Sequence, residues 1–337
     1  MSKTIAVTGA TGSQGGGVVN IMRKSPGWSV RAVTRNPTSE AAKKLAAAGV
    51  EVVQASFDNE ASLVNAFQGV NAVFAMTNWW EHLFSGKSQD ESGLLEEEQG
   101  MKIARAAAQT STLEHYIWST TPSAKRILNG QHSTPHMDYK ANVDARIKSE
   151  LPDLAEKTTY LYFGFYPQNL AFFPLLKPIQ HVSHVCLQLS RECWLTSIQP
   201  STRAWIQIVP TNPDAKILIA GDMAVNPGIW VRQVLATGPK AFGKYANVAL
   251  EKWTFQNIMD VWAEVTGKTG VLMKCTQEAY SRLWGPPGHE LGLQFKFGEM
   301  CDPWQETEEF ISPAELDIDT NEVVGFRQTI EGLKSFF

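Results

Sequence analysis

The chain has 337 residues, 43% hydrophobic and 19% charged, with a formal net charge of −4. That length supports one large α/β domain, or a nucleotide-binding domain with a second lobe, each with a full hydrophobic core. There is no basic excess to exploit counterion release from nucleic acid, and no apolar run of roughly 18 residues to cross a bilayer, so direct nucleic-acid binding and membrane insertion are not expected.

Residues 1–7 run straight into a strand-like segment, leaving no room for a signal peptide, so the expected location is cytoplasmic or nuclear. The four cysteines, Cys186, Cys193, Cys275 and Cys301, show no CxxC spacing. In a reducing compartment they are expected as free thiols, with no metal site.

From residue 3 to about 165, short β-branched runs alternate with longer Ala-rich stretches, the pattern of βαβ units and a parallel sheet. Strands are predicted at 4–8, 29–34, 51–55, 72–76, 115–119 and 159–162, and helices at 15–24, 39–48, 60–67, 94–110 and 137–150. Gly49 is a good helix stop. Right-handed crossovers then give a Rossmann-type, doubly wound parallel sheet. The expected division is a nucleotide-binding domain over 1–165 and a smaller C-terminal α/β lobe over 166–337, partly interleaved with it, where Pro, Trp and Phe are frequent. Residues 78–98 are predicted as a polar connection too long for an ordinary βα loop, hence a lid or mobile segment beside the nucleotide. Residues 181–203 lack either periodicity and read as an atypical insertion or as translated non-coding sequence.

The first strand leads into Gly9-Ala10-Thr11-Gly12-Ser13-Gln14-Gly15, a GxxGxxG loop between a predicted strand and a predicted helix. Gly9 permits the tight turn, Gly12 lets backbone approach a pyrophosphate, and Gly15 allows the helix to pack closely on the strand. The helix N-terminus then offers free N–H groups and its dipole to the phosphates. After the second strand, where an NAD-preferring protein places an acid, stands Arg35. A guanidinium there can fork onto a 2′-phosphate, so NADP(H) is the expected cofactor. Phe57 and Asp58 follow the third strand; Asp58 either accepts from the adenine amine or caps the next helix.

With these motifs placed, the sequence resembles the NmrA-like family, an atypical branch of the short-chain dehydrogenase/reductase superfamily. The resemblance rests on residues 8–16, on Thr34-Arg35-Asn36-Pro37, on His136-Met137-Asp138-Tyr139-Lys140 and on Gly164-Phe165-Tyr166-Pro167-Gln168-Asn169. It implies that Gly9 to Gln14 hold the pyrophosphate and Arg35 the 2′-phosphate. It also implies that Thr77, Asn78 and Trp79 lie along the nicotinamide ribose, that Lys140 bonds the ribose hydroxyls, and that Tyr166 and Asn169 close over the nicotinamide end. Short-chain reductases typically use Tyr-x-x-x-Lys, with both side chains on one helical face; here the pair is His136 and Lys140. Tyr139 lies about 100° around the helix from Lys140 and cannot take the acid's place. Ser119 falls where the superfamily has its carbonyl-polarising serine.

Two functions follow. In one, the protein reduces a ketone or conjugated alkene of an aromatic or polyketide-like small molecule, with His136, Lys140 or a water giving the proton. In the other, it binds NADP without turnover and acts as a redox sensor, a negative regulator touching a transcription factor. Whichever holds, His136 can also be read simply as a helix-start histidine exposed to water. Trp79, Trp80, Phe163, Phe165, Phe172 and Phe173 suggest an aromatic-lined cleft for a small-molecule substrate or a partner's helix, or simply core. His181, His184 and Cys186 are ligand types at short spacing but lack a fourth ligand nearby. The acidic runs 96–98 and 306–309 are expected to be solvated surface.

Overall fold

The computed structural model describes residues 2–180, 203–301 and 309–337. The chain runs β1 (Lys3–Val7), α1 (Ser13–Met22), β2 (Trp28–Thr34), α2 (Glu40–Ala47), β3 (Glu51–Gln54), α3 (Glu60–Phe67) and β4 (Ala72–Ala75). Then come α4 (Trp79–Phe84), α5 (Gln89–Ala108), β5 (His115–Thr120), α6 (Ala124–Ile127), α7 (Pro135–Glu150), α8 (Pro152–Ala155), β6 (Thr158–Phe163) and α9 (Asn169–Phe172). The rest comprises β7 (Ile179–Gln180), β8 (Trp205–Val209), β9 (Lys216–Ile219), α10 (Asn226–Thr237), β10 (Tyr245–Val248), β11 (Glu251–Thr254), α11 (Phe255–Thr266), β12 (Gly270–Lys274), α12 (Gln277–Met300) and α13 (Phe326–Gly332).

All six predicted strands form, and they lie in a parallel sheet of order β3-β2-β1-β4-β5-β6-β10. The fold is the expected doubly wound α/β sheet with smaller sheets in the C-terminal part, β11 on β9 and β12-β8-β7. The seventh strand escapes the sequence reading because it comes from residues 245–248, far beyond the alternating region.

Period-two alternation along the strands makes two cores. Ile5, Val7, Ala72, Phe74, Ile117 and Leu161 face α1 and α10, where they meet Val18, Val19, Ile229 and Trp230. Ala6, Val73, Ala75, Tyr116, Trp118 and Tyr160 face the other layer, with Leu63 and Phe67 of α3, Met101 and Ile103 of α5, and Val143 and Ile147 of α7. Between α1 and α10 the backbones nearly touch, since a Cβ on Gly228 would lie 2.5 Å from the Gly17 carbonyl oxygen, and a Cβ on Gly17 2.1 Å from the carbonyl oxygen of Met223 just ahead of α10. The C-terminal lobe holds two smaller clusters, one around Trp262 and Phe326 and the other around Tyr280 and Phe295. Among the described residues no helix is long and apolar enough to cross a membrane.

Two expectations are corrected. Residues 78–98 are helical, not a loop: they form α4 and the first half of α5. The reason is a capping box, Ser88 accepting from the Glu91 N–H while Glu91 accepts from the Ser88 N–H, which starts α5 five residues before the predicted 94. The expected solvated acidic run is divided as well. Glu97 and Glu98 pair with Arg146 and Arg105 at the surface, but Glu96 is wholly buried. Glu96 stands on the α5 stripe of Ser92, Gly93, Gln99, Gly100 and Ile103, the face that packs inward. The run 306–309 falls outside the described residues except for Glu309, and the segment 181–202, with His181, His184, Cys186 and Cys193, falls outside them entirely.

Under the sheet, Asp144 is fully buried and accepts from Trp118 Nε1 at 2.9 Å, Thr120 Oγ1 at 2.7 Å and the Tyr245 hydroxyl at 3.2 Å. Burial outweighs these hydrogen bonds and pushes its carboxyl up to about 7. Below about pH 4 the carboxyl is neutral in both folded and unfolded chains; between about 4 and 7 only the unfolded chain ionises, so this residue's contribution to stability is lost as pH rises. Asp144→Asn keeps the shape and removes the ionisation. The variant should therefore gain on the parent between pH 4 and 8, by up to about 4 kcal/mol, in denaturant unfolding at each pH. A constant difference across that range would refute the assignment.

Candidate nucleotide and active site

The strand order reverses between β1 and β4, and the crevice lies at their C-terminal ends. Thr8 ties the two ends: its N–H donates to the Phe74 carbonyl at 3.0 Å and its hydroxyl accepts from the Met76 N–H at 2.8 Å. Gly9 turns the chain with φ +61°, and a Cβ there would sit 2.4 Å from the Met76 sulfur. A Cβ on Gly15 would lie 2.4 Å from the Gly9 carbonyl oxygen and 2.6 Å from that of Thr8, so only glycine lets α1 press onto the strand end. Gly12 differs. A Cβ there would meet only the Gly9 oxygen, at 3.3 Å, and the residue is exposed. Packing excludes side chains at Gly9 and Gly15, while Gly12 leaves an open approach to the backbone.

Helix α1 starts at Ser13 with no side-chain cap on its N-terminal N–H groups. Those donors and the open loop suit the diphosphate of a dinucleotide, which needs no side-chain charge there. Thr11 and Ser13 are exposed beside Gly12, whereas Ala10 is buried against the core.

Arg35 follows β2. Its guanidinium forks onto Glu81 of α4, with Nη1 donating to Oε1 and Nη2 to Oε2, the latter at 3.0 Å. The Glu81 hydrogen bonds raise its pKa, and Asp58 adds to this through space. Asp58 does not cap α3. That cap is Asn59, which accepts from the Ser62 N–H, while Asp58 Oδ1 accepts from Gln99 at 2.8 Å. Phe57 is partly buried against the core beneath α3 and α5.

At the end of β4, the Lys140 ammonium lies 2.7 Å from Glu96 Oε1 and donates to the Thr77 hydroxyl at 2.9 Å and its carbonyl at 3.2 Å. The Thr77 hydroxyl donates to the same Glu96 oxygen at 2.8 Å. Glu96 Oε2 is buried without a hydrogen-bond partner among the described residues. The ammonium also stands over the Trp118 ring, 5.6 Å from its centre.

One turn earlier on α7, His136 is not the exposed helix-start residue of the bland reading; its side chain is only 12% exposed. Its Nδ1 lies 2.7 Å from Oε1 of Glu290 on α12, which also accepts the His136 backbone N–H at 2.8 Å. Gln89 donates to the other Glu290 oxygen. Burial works against the Glu290 carboxylate, but these bonds and the neighbouring imidazole outweigh it and hold the carboxyl below its usual range. The imidazole stands beside the rings of Trp79 and Trp80, at 5.7 and 5.3 Å between centres.

Ser119 is buried at the end of β5 and donates to Gln14 Oε1 at 2.7 Å, and Gln14 Nε2 donates to the Tyr166 hydroxyl. The glycine-rich loop is thus linked by one side chain to β5 and to the segment after β6. Desolvation pushes the Tyr166 phenol up to about 12, against the Gln14 hydrogen bond. Asn169 opens α9, with its N–H on the Tyr166 carbonyl at 2.9 Å, while Asn78 is exposed just ahead of α4. Tyr139 faces away from this cluster, with its hydroxyl on Asp90 at 3.1 Å.

The aromatic residues do not gather into one wall. Trp80, Phe165 and Phe173 pack on the Tyr280–Phe295 cluster, with Trp80 on Phe173 at 5.4 Å, whereas Trp79 is core, Phe163 joins the core facing α1, and exposed Phe172 lies against Phe336. Glu96, Glu290 and Glu81 were missed from sequence. Glu96 alone carried a signal, an acid on a helix stripe of small and apolar residues. Glu290 meets a residue 154 positions away, beyond any local pattern.

Solved structures share this architecture. The negative transcriptional regulator NmrA in complex with NADP superposes with a TM-score of 0.71 at 19% identity, over 99% of this chain and 96% of that one. The Citrobacter sp. triphenylmethane reductase complexed with NADP(H) gives 0.66 at 18% identity, over 98% and 99%. Among curated proteins, an NmrA-like family domain-containing oxidoreductase of Aspergillus hancockii is 36% identical over 143 residues, 42% of this chain and 41% of the relative. Another from an Aspergillus species is 38% identical over 142 residues, 42% of this chain and 40% of the relative. The match thus spans about two-fifths of the length of these curated relatives. The family signature itself extends much further, covering residues 1–315 from the glycine loop through the Lys140 cluster into the C-terminal lobe, and on that span the chain belongs to the NmrA-like family.

Proposed function

We propose that the chain is an NADP(H)-dependent oxidoreductase that reduces a ketone or conjugated alkene of an aromatic or polyketide-like small molecule, a secondary-metabolism type of step. The observation that carries this reading is the Lys140 cluster: an ammonium anchored by Glu96 and Thr77 at the mouth of the crevice, one helical turn from a histidine oriented by a buried carboxylate. The oxidoreductase names of the Aspergillus relatives and the NADP(H) complex of the Citrobacter reductase support it.

In this reading residues 1–165 form the nucleotide-binding part and 166–337 the lobe over the substrate, interleaved through α10 and β10. Gly9 to Gln14 and the start of α1 hold the pyrophosphate, Arg35 the 2′-phosphate, and Phe57 and Asp58 flank the adenine. Thr77, Asn78 and Trp79 border the nicotinamide ribose, Lys140 donates to its hydroxyls, and Tyr166 and Asn169 close the nicotinamide end. A bound reduced nicotinamide supplies hydride. The proton comes from the protein side, from His136, Lys140 or a water they orient. With Nδ1 engaged by Glu290, Nε2 is the imidazole nitrogen left to exchange a proton.

A second reading, an NADP-binding redox sensor that represses transcription through protein contact, draws on Ser119. Its hydroxyl is donated to Gln14, and no tyrosine occupies the acid position, so the usual carbonyl-activating pair is incomplete.

Calorimetry with NADPH and NADH should show Arg35→Ala weakening NADPH about tenfold to a hundredfold while leaving NADH within about twofold. Equal affinities in the parent protein would reject NADP(H). Followed at the reduced-nicotinamide absorbance with a panel of quinones, enones and aromatic ketones, turnover should fall at least about a hundredfold in Lys140→Ala. Turnover of no compound in the panel, together with co-purification of a transcription factor, would favour the sensor.

A further inference from the structure

The Arg35–Glu81 fork joins the residue read as the 2′-phosphate ligand to α4, the helix that carries Trp79, Trp80 and Phe84. Both terminal nitrogens of the guanidinium are committed to the carboxylate, and Asp58 adds a second acid to the same field. A 2′-phosphate is dianionic. Placed on the same fork it would face Glu81 as a like charge, so the two compete for one donor pair. A 2′-hydroxyl carries no charge and requires no exchange. Releasing Glu81 costs little, because its side chain is already 45% exposed and water solvates the freed carboxylate.

Helix α4 is six residues long, and besides the Arg35–Glu81 pair it is tied to α5 by Trp79 Nε1, which donates to the Gln89 carbonyl at 3.3 Å, and by His82, which lies 3.2 Å from the Gln99 side-chain oxygen. Trp79 against His136 and Trp80 against Phe173 anchor it from one side, and the Arg35–Glu81 pair fastens it to the end of β2. Exchange of partners at Arg35 would therefore remove the tie between α4, beside His136, and the end of β2, leaving its ties to α5.

We propose that Glu81 is a specificity-determining residue that competes with the nucleotide's 2′-phosphate for Arg35, narrowing the preference for NADP(H) over NAD(H), and that this exchange loosens α4. The inference rests on the reading of Arg35 given above. Its test is calorimetry at low ionic strength with NADPH and NADH on the parent chain, Glu81→Gln and Arg35→Ala, with thermal melts to check that each is folded. Glu81→Gln should tighten NADPH about three- to tenfold and leave NADH within about twofold. Unchanged NADPH affinity, or equal tightening of both nucleotides, overturns the competition. An Arg35→Ala chain that keeps the parent's NADPH affinity overturns the underlying reading of Arg35 instead, so the two failures are separable. In hydrogen exchange on the parent, residues 79–84 should exchange faster with NADPH bound than with NADH bound; equal exchange overturns the release of α4.

Discussion

Helix α1 is pressed between the end of β1 and helix α10 more tightly than any side chain would allow. Gly15 fits the helix against the carbonyls of Thr8 and Gly9, and Gly17 fits it against Met223 and, across the helix pair, Gly228. The first contact aims the helix N-terminus into the crevice between β1 and β4. The second draws the returning chain onto the parallel sheet's α1 face, so that β10 can add to β6 at the sheet edge. Buried Asn226 fastens that return, donating to the carbonyls of Ala220 and Val324 and accepting from the Val324 N–H. One close-packed helix thus fixes both the position of the glycine loop and the attachment of the C-terminal part.

At the other side of the crevice the constraint is electrostatic. Two glutamates with no exposed surface, Glu96 and Glu290, each hold a basic side chain of α7. Burying such groups is costly unless partners are close and well oriented, and removing one partner of a buried pair typically costs about 3–5 kcal/mol. Such pairs give little net stability compared with an apolar core, but they fix where Lys140 and His136 stand. Glu290 does more than orient the imidazole: it takes an N–H of the first turn of α7, which has no carbonyl of its own to bond. The C-terminal lobe, through α12, thereby caps the helix that carries the candidate chemistry.

Much of the N-terminal half was legible because its signals are local. The glycine loop lies between a strand and a helix that period-two and helical patterns mark out, and Arg35 follows directly from the end of β2. Errors arose where a local signal was overlooked or where partners are distant. Ser88 and Glu91 start α5 early, and a helical stripe buries Glu96 in what reads as an acidic surface run. No pattern near His136 announces Glu290, and none near Arg35 announces Glu81, because those contacts are made by chain segments 154 and 46 residues away.

By itself the sequence determined the parallel sheet, the crevice at the end of β1 and the residue types offered to a dinucleotide. Backbone geometry and hydrophobic periodicity act within a few residues, and they suffice for those. Only tertiary structure decided which carboxylate each basic side chain meets: Glu96 for Lys140, Glu290 for His136 and Glu81 for Arg35. Charge pairing depends on distance in space, which the packing of α4, α5 and α12 around the crevice sets. The Rossmann layer is therefore read along the chain, and the chemistry of its mouth is read across it.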